Sequence, residues 1–228
     1  MENRKVLVAF SGGADSTTVL YLAIRKFGKA NVRPVYFYYG QKYSPGEQQA
    51  VNILLGDRGC GLRMHYDRIE FDLSKFGRSV LTTTEPVPSQ SENKQASTVV
   101  PYRNTMFAVQ LACKAVTEGY DVIALGPTWE DLAEYPDCRP EYFKALQKLL
   151  RLGDRHHHLE VWTPYVFSHK ADVVNEGLQM DVPYEWTWTC YNGIWDHPCR
   201  TCDACKEREA SFDANGVPDP LLQRLNLV

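Results

Sequence analysis

The chain has 228 residues, 44% of them apolar and 23% charged, and a formal net charge of −3 at pH 7. That is the balance of an ordinary globular protein, long enough for one α/β domain with a good core or for such a domain plus a small appendage. It leaves little room for a general nucleic-acid surface, and no apolar run approaches the roughly 20 residues that cross a bilayer.

Met1-Glu2-Asn3-Arg4-Lys5 leads directly into an apolar run, so no targeting segment is read and a cytoplasmic location is expected. Val6 to Phe10 is that run, which suits a central strand buried on both faces. Val19, Leu20, Ala23, Ile24 and Phe27 then recur at helical spacing. Between strand and helix, Ser11-Gly12-Gly13-Ala14-Asp15-Ser16 turns the chain sharply. The glycines let a ligand approach the backbone, and the N–H groups opening the helix join the Ser11 and Ser16 hydroxyls in an anion cradle. The loop is too short for the Walker pattern and has no lysine.

Val32 to Tyr39 reads as a second strand. Ser44, Pro45 and Glu47 have the chemistry of a capping box opening the next helix. Met64 to Phe71 is the third strand candidate, and strand, helix, strand, helix, strand is the signature of a parallel sheet with right-handed crossovers. From Gly77 to Thr98 the composition turns polar, which reads as a functional lid or a disordered segment. Val99-Val100-Pro101-Tyr102-Arg103-Asn104 follows, then an apolar helix from about Thr105 to Glu118. Arg103 and Asn104 read either as part of a site at the end of the lid or as a solvated arginine beside a helix cap.

Asp121 to Gly126 is the fourth strand, whose end is expected beside that of the first, at the crevice where open α/β sheets bind ligands. Four acids, two aromatics and an arginine crowd residues 129 to 140, a costly loop for a structural connection. A helix follows to about Gly153, and Arg155-His156-His157-His158 reads as a surface turn. Leu159 to Tyr165 is the fifth strand. Lys170 opens the next helix, which carries Ala171, Val174 and Leu178 on one stripe. A lysine there opposes the helix dipole, so an anionic partner is expected, most economically an ATP phosphate.

Seven cysteines without a secretion signal do not suggest a disulfide framework; Cys60 and Cys113 read as free and buried. Cys190, Cys199, Cys202 and Cys205 form C-x8-C-x2-C-x2-C, a spacing that suits a closed structural Zn²⁺ site and that an iron–sulfur cluster would also accept. The fold expected is a Rossmann-like, doubly wound, five-stranded parallel sheet over residues 1–185, with a four-cysteine zinc segment over 186–228 packed on it.

The S-G-G-A-D-S loop resembles the pyrophosphate loop of N-type ATP pyrophosphatases, in which the loop holds pyrophosphate and its Asp is associated with Mg²⁺. Over Lys5 to about Pro220 the chain resembles the 7-cyano-7-deazaguanine synthases of the queuosine pathway. The resemblance rests on F-S-G-G-A-D-S-T-T, Y-G-Q, V-P-Y-R-N, Y-P-D-C-R, a helix-opening lysine after T-P, and T-C-Y-N-G with the three further cysteines. It implies conversion of 7-carboxy-7-deazaguanine to the nitrile with ammonia and two ATP, releasing AMP and pyrophosphate, by a homodimer. It also implies ATP binding by Phe10, Ser11, Gly12, Gly13, Asp15, Ser16, Thr17, Gly40, Gln41 and Lys170, and substrate binding by Arg103, Asn104, Tyr135, Asp137 and Arg139. Asp15, Lys170 and Arg103 take the catalytic roles. Tyr102 stands where the family has glycine, Ala133-Glu134 where it has Ser-Gly, and Arg200 where it has glycine between the cysteines. The first three are expected to reshape the pocket wall, which leaves open a variant that stops at the amide or passes the acyl group to another amine, such as a protein acceptor. An enzyme of tRNA thiolation is the rival reading.

Overall fold

The computed structural model describes residues 3–57, 61–76, 79–85, 87, 98–154 and 158–228. Cys60, most of the 77–98 lid and Arg155 to His157 lie outside the described residues.

Five strands, β1 (Val6–Ala9), β2 (Val32–Tyr38), β3 (Asp67–Glu70), β4 (Val122–Ala124) and β5 (Glu160–Trp162), form one sheet in the order β3-β2-β1-β4-β5. Every pairing is parallel, with Val6 opposite both Val32 and Val122. The strands end sooner than the apolar runs do, although Phe10 N still donates to Val35 O at 2.9 Å and Leu125 N to Trp162 O at 3.0 Å.

Alternation along β1 shows why the sheet is covered on both faces. Val6 and Val8 pack with Val19, Leu20 and Phe27 of α1 (Ala14–Phe27) and with Ala50, Val51 and Leu54 of α2 (Ser44–Leu55). Leu7 points the other way, into Ala108, Leu111 and Ala115 of α3 (Arg103–Glu118) and Phe143 and Leu146 of α5 (Pro140–Gly153). Between them lies α4 (Asp131–Glu134), a single short turn. β1 continues to β2 on one side and neighbours β4 on the other, so the strand order reverses at its carboxyl end and a crevice opens there.

Four local expectations are corrected. Ser44 is the first residue of α2 rather than its cap, and no side chain caps that helix; Glu47 instead turns into the core, where Gln41 and Tyr36 hold it. The third helix starts at Arg103, ahead of the expected Thr105, so Asn104 lies inside its first turn. Cys113 is exposed, because Leu111, Ala112 and Ala115 take the inward face of α3. Tyr102 precedes α3 in the left-handed region (φ 56) with its ring 69% exposed, and Arg200 has φ 57. Two of the three positions where the family keeps glycine, Tyr102 and Arg200, therefore have glycine's backbone conformation, while Glu134 ends a short helix; the Tyr102 ring faces solvent instead of the pocket.

The chain closes with α6 (Lys170–Gln179), α7 (Asp203–Asp213) and α8 (Pro220–Arg224). Arg208 of α7 is buried and pairs with buried Asp219, Nε to Oδ2 at 2.7 Å and Nη2 to Oδ1 at 2.8 Å. Its other N–H groups reach Tyr184 O at 2.8 Å and Thr187 Oγ1 at 2.6 Å. Removing one partner of a buried, fully hydrogen-bonded pair strands the other charge. Arg208→Ala is therefore expected to cost about 3–5 kcal/mol in denaturant unfolding, and a loss under about 1 kcal/mol would contradict this role.

Candidate active site and metal centre

The crevice at the β1–β4 switch holds a cavity of about 230 Å³. Its floor is the 10–16 loop. Gly12 (φ 78) makes the turn, and a Cβ there would stand 2.9 Å from that of Ala50, so only glycine lets the loop lie against α2. Ser11 Oγ receives Gly13 N at 3.3 Å and meets Ser16 Oγ at 3.1 Å. No side chain caps α1, which leaves its first-turn N–H groups to an anion.

One wall comes from the end of β2 and the start of α2: Phe37, Tyr39, Gln41, Tyr43 and Glu47. The opposite wall is Leu125 to Pro127 with Asp131, and Arg103, Asn104 and Phe107 enter from α3. The roof is Trp188, Thr189 and Tyr191, fastened to the floor by Trp188 N donating to Gly12 O at 2.9 Å. A smaller cavity shares Asp131 and Tyr191 and is lined also by Tyr135, Lys170 and Glu207.

Charge is concentrated where the two cavities meet. Burial pushes the Asp15 carboxyl up to about 6 against the pull of Lys170, and Asp131, Glu207 and Glu130 add to the rise. Burial also works against the Lys170 ammonium, but Asp131, Asp15 and Glu207 outweigh it and hold its pKa well above the usual lysine value. The anionic partner expected for Lys170 is thus supplied by the protein: it bonds Glu207 and stands 4.0 Å from Asp131. Glu130 caps α6, accepting from Lys170 N at 3.1 Å.

The residues read from sequence divide accordingly. Phe10, Ser11, Gly13, Asp15, Ser16, Gln41, Arg103 and Asn104 line the main cavity, while Lys170 and Tyr135 line the adjoining one. Thr17 spends its hydroxyl on Gly13 O at 2.7 Å. Gly40 makes a turn (φ 89) beside Asp72. Asp137 steadies α3 by accepting from Asn104 N at 3.0 Å. Arg139 is exposed and bonds Leu132 O, away from both cavities. Gln41 reaches the cavity with its amide already engaged, by Tyr39 N, Phe37 O and Glu47. Arg103 is not a solvated arginine; its guanidinium stands 3.5 Å from Tyr39 OH and over the Tyr135 ring.

Sequence reasoning missed Glu47, Tyr39, Tyr43, Asp131 and the Trp188–Tyr191 roof. Glu47 carried a signal, an acid three residues after a serine, but that signal reads equally well as a helix cap. Cys138 also lines the cavity; burial pushes its thiol up, the direction opposite to that of a reactive cysteine.

The sulfurs of Cys190, Cys199, Cys202 and Cys205 all lie within 4.8 Å of one another. Backbone N–H groups of Gly193 (2.9 Å) and Cys199 (3.2 Å) donate to the Cys190 sulfur, as is usual around a thiolate that holds a metal. Hydrogen bonds from Cys202 and Cys205 hold the Cys190 thiol well below the ordinary cysteine range. Four soft donors converging with no position left open fit a closed, structural metal site.

The family model described as "Queuosine biosynthesis protein QueC" matches residues 5–216. A 7-cyano-7-deazaguanine synthase from Archaeoglobus fulgidus is 39% identical over 220 residues, 96% of this chain and 90% of that protein. Enzymes of the same name from Thermoplasma acidophilum (37% over 228 residues, 97% and 92% covered) and a Synechococcus strain (37% over 220 residues, 93% and 96% covered) are similarly related. Among solved structures, the U34-tRNA thiolase NcsA from Methanococcus maripaludis with its 4Fe-4S cluster superposes with a TM-score of 0.50 over 100% of this chain and 73% of that one. At 14% identity that likeness is one of fold.

Metal binding in so small a segment becomes folding free energy. Serine at any one of the four cysteines is expected to drop bound metal below one ion per chain and to lower the unfolding temperature; full metal content in all four variants would contradict the site.

Proposed function

Since the chain belongs to the QueC family of queuosine biosynthesis, we propose that it is an ATP-dependent carbon–nitrogen ligase that converts 7-carboxy-7-deazaguanine to 7-cyano-7-deazaguanine. The observation that carries the reading is the phosphate cradle of Ser11, Gly13 and Ser16 at the floor of a cavity with aromatic walls and one cation, Arg103. A flat base fits between such walls, and a triphosphate fits over such a floor.

The substrate carboxylate attacks the α-phosphorus of ATP, breaking the α–β bond and releasing pyrophosphate. Ammonia then adds to the acyl adenylate and expels AMP, leaving an amide and one proton. The amide oxygen attacks the α-phosphorus of a second ATP, releasing a second pyrophosphate, and loss of AMP with the two nitrogen protons gives the nitrile. The protein positions the reactants and disperses negative charge. The α1 N-terminus and the loop serines hold the pyrophosphate portion, and Lys170 leaves Glu207 for the nucleotide. Arg103 meets the attacking carboxylate. Asp15 and Asp131 are the oxygen donors beside the loop that would hold the Mg²⁺ bound to ATP, whose charge would offset that of the phosphates. The four thiolates of the cysteine site would hold Zn²⁺ as a structural staple, leaving no open position for chemistry.

Among the described residues, Tyr102 faces solvent and Ala133 is exposed outside the lining, so neither reshapes the cavity wall toward an enzyme that halts at the amide. Asp15→Ala is expected to keep the fold and lower AMP release from substrate, ATP, Mg²⁺ and ammonium by at least about 100-fold; release at the normal rate would remove Asp15 from the site.

A further inference from the structure

Glu47 is an unusual group to find in the wall of a cavity proposed to bind a triphosphate and a carboxylate. It belongs to the first turn of α2 and is 9% exposed. One oxygen, Oε2, receives Gln41 Nε2 at 2.9 Å and Tyr36 OH at 3.3 Å. Gln41 is itself fixed, accepting from Tyr39 N at 2.8 Å and donating to Phe37 O at 2.9 Å. Among the described residues no donor reaches the other oxygen, Oε1, and it is not sealed from the cavity. A carboxylate clamped by one oxygen, with the other left open beside aromatic rings, is arranged to receive N–H donors from a flat heterocycle. Burial pushes this carboxyl up to about 8 against Gln41, Tyr36 and Arg103, so the protein alone under-compensates its charge; donors from a ligand would complete the compensation.

We propose that Glu47 reads the substrate base, its free oxygen accepting from the N1–H and 2-amino donors of the aminopyrimidinone edge, so that the opposite edge, which bears the reacting carboxyl, faces the phosphate loop. The proposal rests on the synthase reading above and deepens it. Both heterocycles that enter the crevice are flat, and they differ at this edge. Adenine presents an acceptor, N1, beside its amino group, which a carboxylate repels, whereas the aminopyrimidinone presents two adjacent donors. Glu47 thus keeps the nucleotide's base out of the substrate's place as well as holding the substrate.

The test is a calorimetric titration of the full chain with 7-carboxy-7-deazaguanine, with its 2-deamino analogue and, separately, with ATP. The unsubstituted protein is expected to bind the amino compound about 100-fold more tightly than the deamino one, the worth of a hydrogen bond to a charged group. Glu47→Gln is expected to bring the two within about 10-fold of each other and to leave the ATP Kd unchanged. Equal affinity for the two compounds in the unsubstituted protein would overturn the proposal, as would a variant that weakens both equally or weakens ATP. The comparison of compounds on the unsubstituted protein stands even if the variant does not fold. Because binding is read rather than turnover, a protein that discriminates but makes no nitrile contradicts the synthase reading alone. One that makes nitrile from both compounds equally well contradicts this proposal alone, and one that binds neither compound contradicts both.

Discussion

The buried Arg208–Asp219 pair is the constraint on which the site depends. A guanidinium this deep must use its donors, and they go to Asp219, Thr187 and Tyr184, with Thr189 Oγ1 at 3.3 Å from Nη1. Those partners define the strap from 184 to 189, so one side chain of α7 sets the path of a segment about twenty residues earlier. The strap passes over the phosphate loop, where Trp188 N meets Gly12 O, and delivers Thr189 and Tyr191 to the roof of the cavity. Cys190 lies at its far end, and Cys202 and Cys205 flank the start of α7. The metal site and the ion pair therefore anchor the two ends of one piece of chain. The carboxyl-terminal segment is part of the pocket, rather than an ornament beside it.

The second organising feature is a division of charge across the cavity. On the β4 side Asp15, Asp131, Glu130 and Glu207 surround Lys170, and repulsion among these acids is relieved by that one ammonium. On the β2 side a lone carboxyl, Glu47, is enclosed by tyrosines and faced by Arg103. The first arrangement suits the arrival of a cation-bearing triphosphate, and the second suits a neutral heterocycle with donors on its edge. A reaction that joins the two needs both ends in one crevice, which the strand reversal between β1 and β4 provides.

What was legible in the sequence was local or periodic. Val6–Phe10 followed by a glycine turn and a 3.6-residue stripe announces strand, loop and helix, and the cysteine spacing announces a metal. The sheet formed as expected because β1, β2 and β4 are apolar enough for burial on both faces, and the more polar β3 and half-buried β5 take its edges. What was not legible depends on contacts that only the tertiary fold makes. Glu47 looked like a helix-capping acid because its captors, Gln41 and Tyr36, act through the fold of β2 against α2. Lys170 looked like a residue waiting for phosphate because Glu207 lies 37 positions away. Arg208 and Trp188 carried no motif at all. Tyr102 looked like an intrusion into the pocket, because a sequence shows the missing glycine but not the backbone angle that glycine serves.

The most direct measurement is mass spectrometry of the products formed by the purified chain from 7-carboxy-7-deazaguanine, ATP, Mg²⁺ and ammonium. The account predicts the nitrile, 7-cyano-7-deazaguanine, with two AMP formed for each nitrile and no amide left over. Accumulation of the amide with one AMP per turnover would contradict the proposed reaction at its second half, and no AMP at all would contradict it from the start.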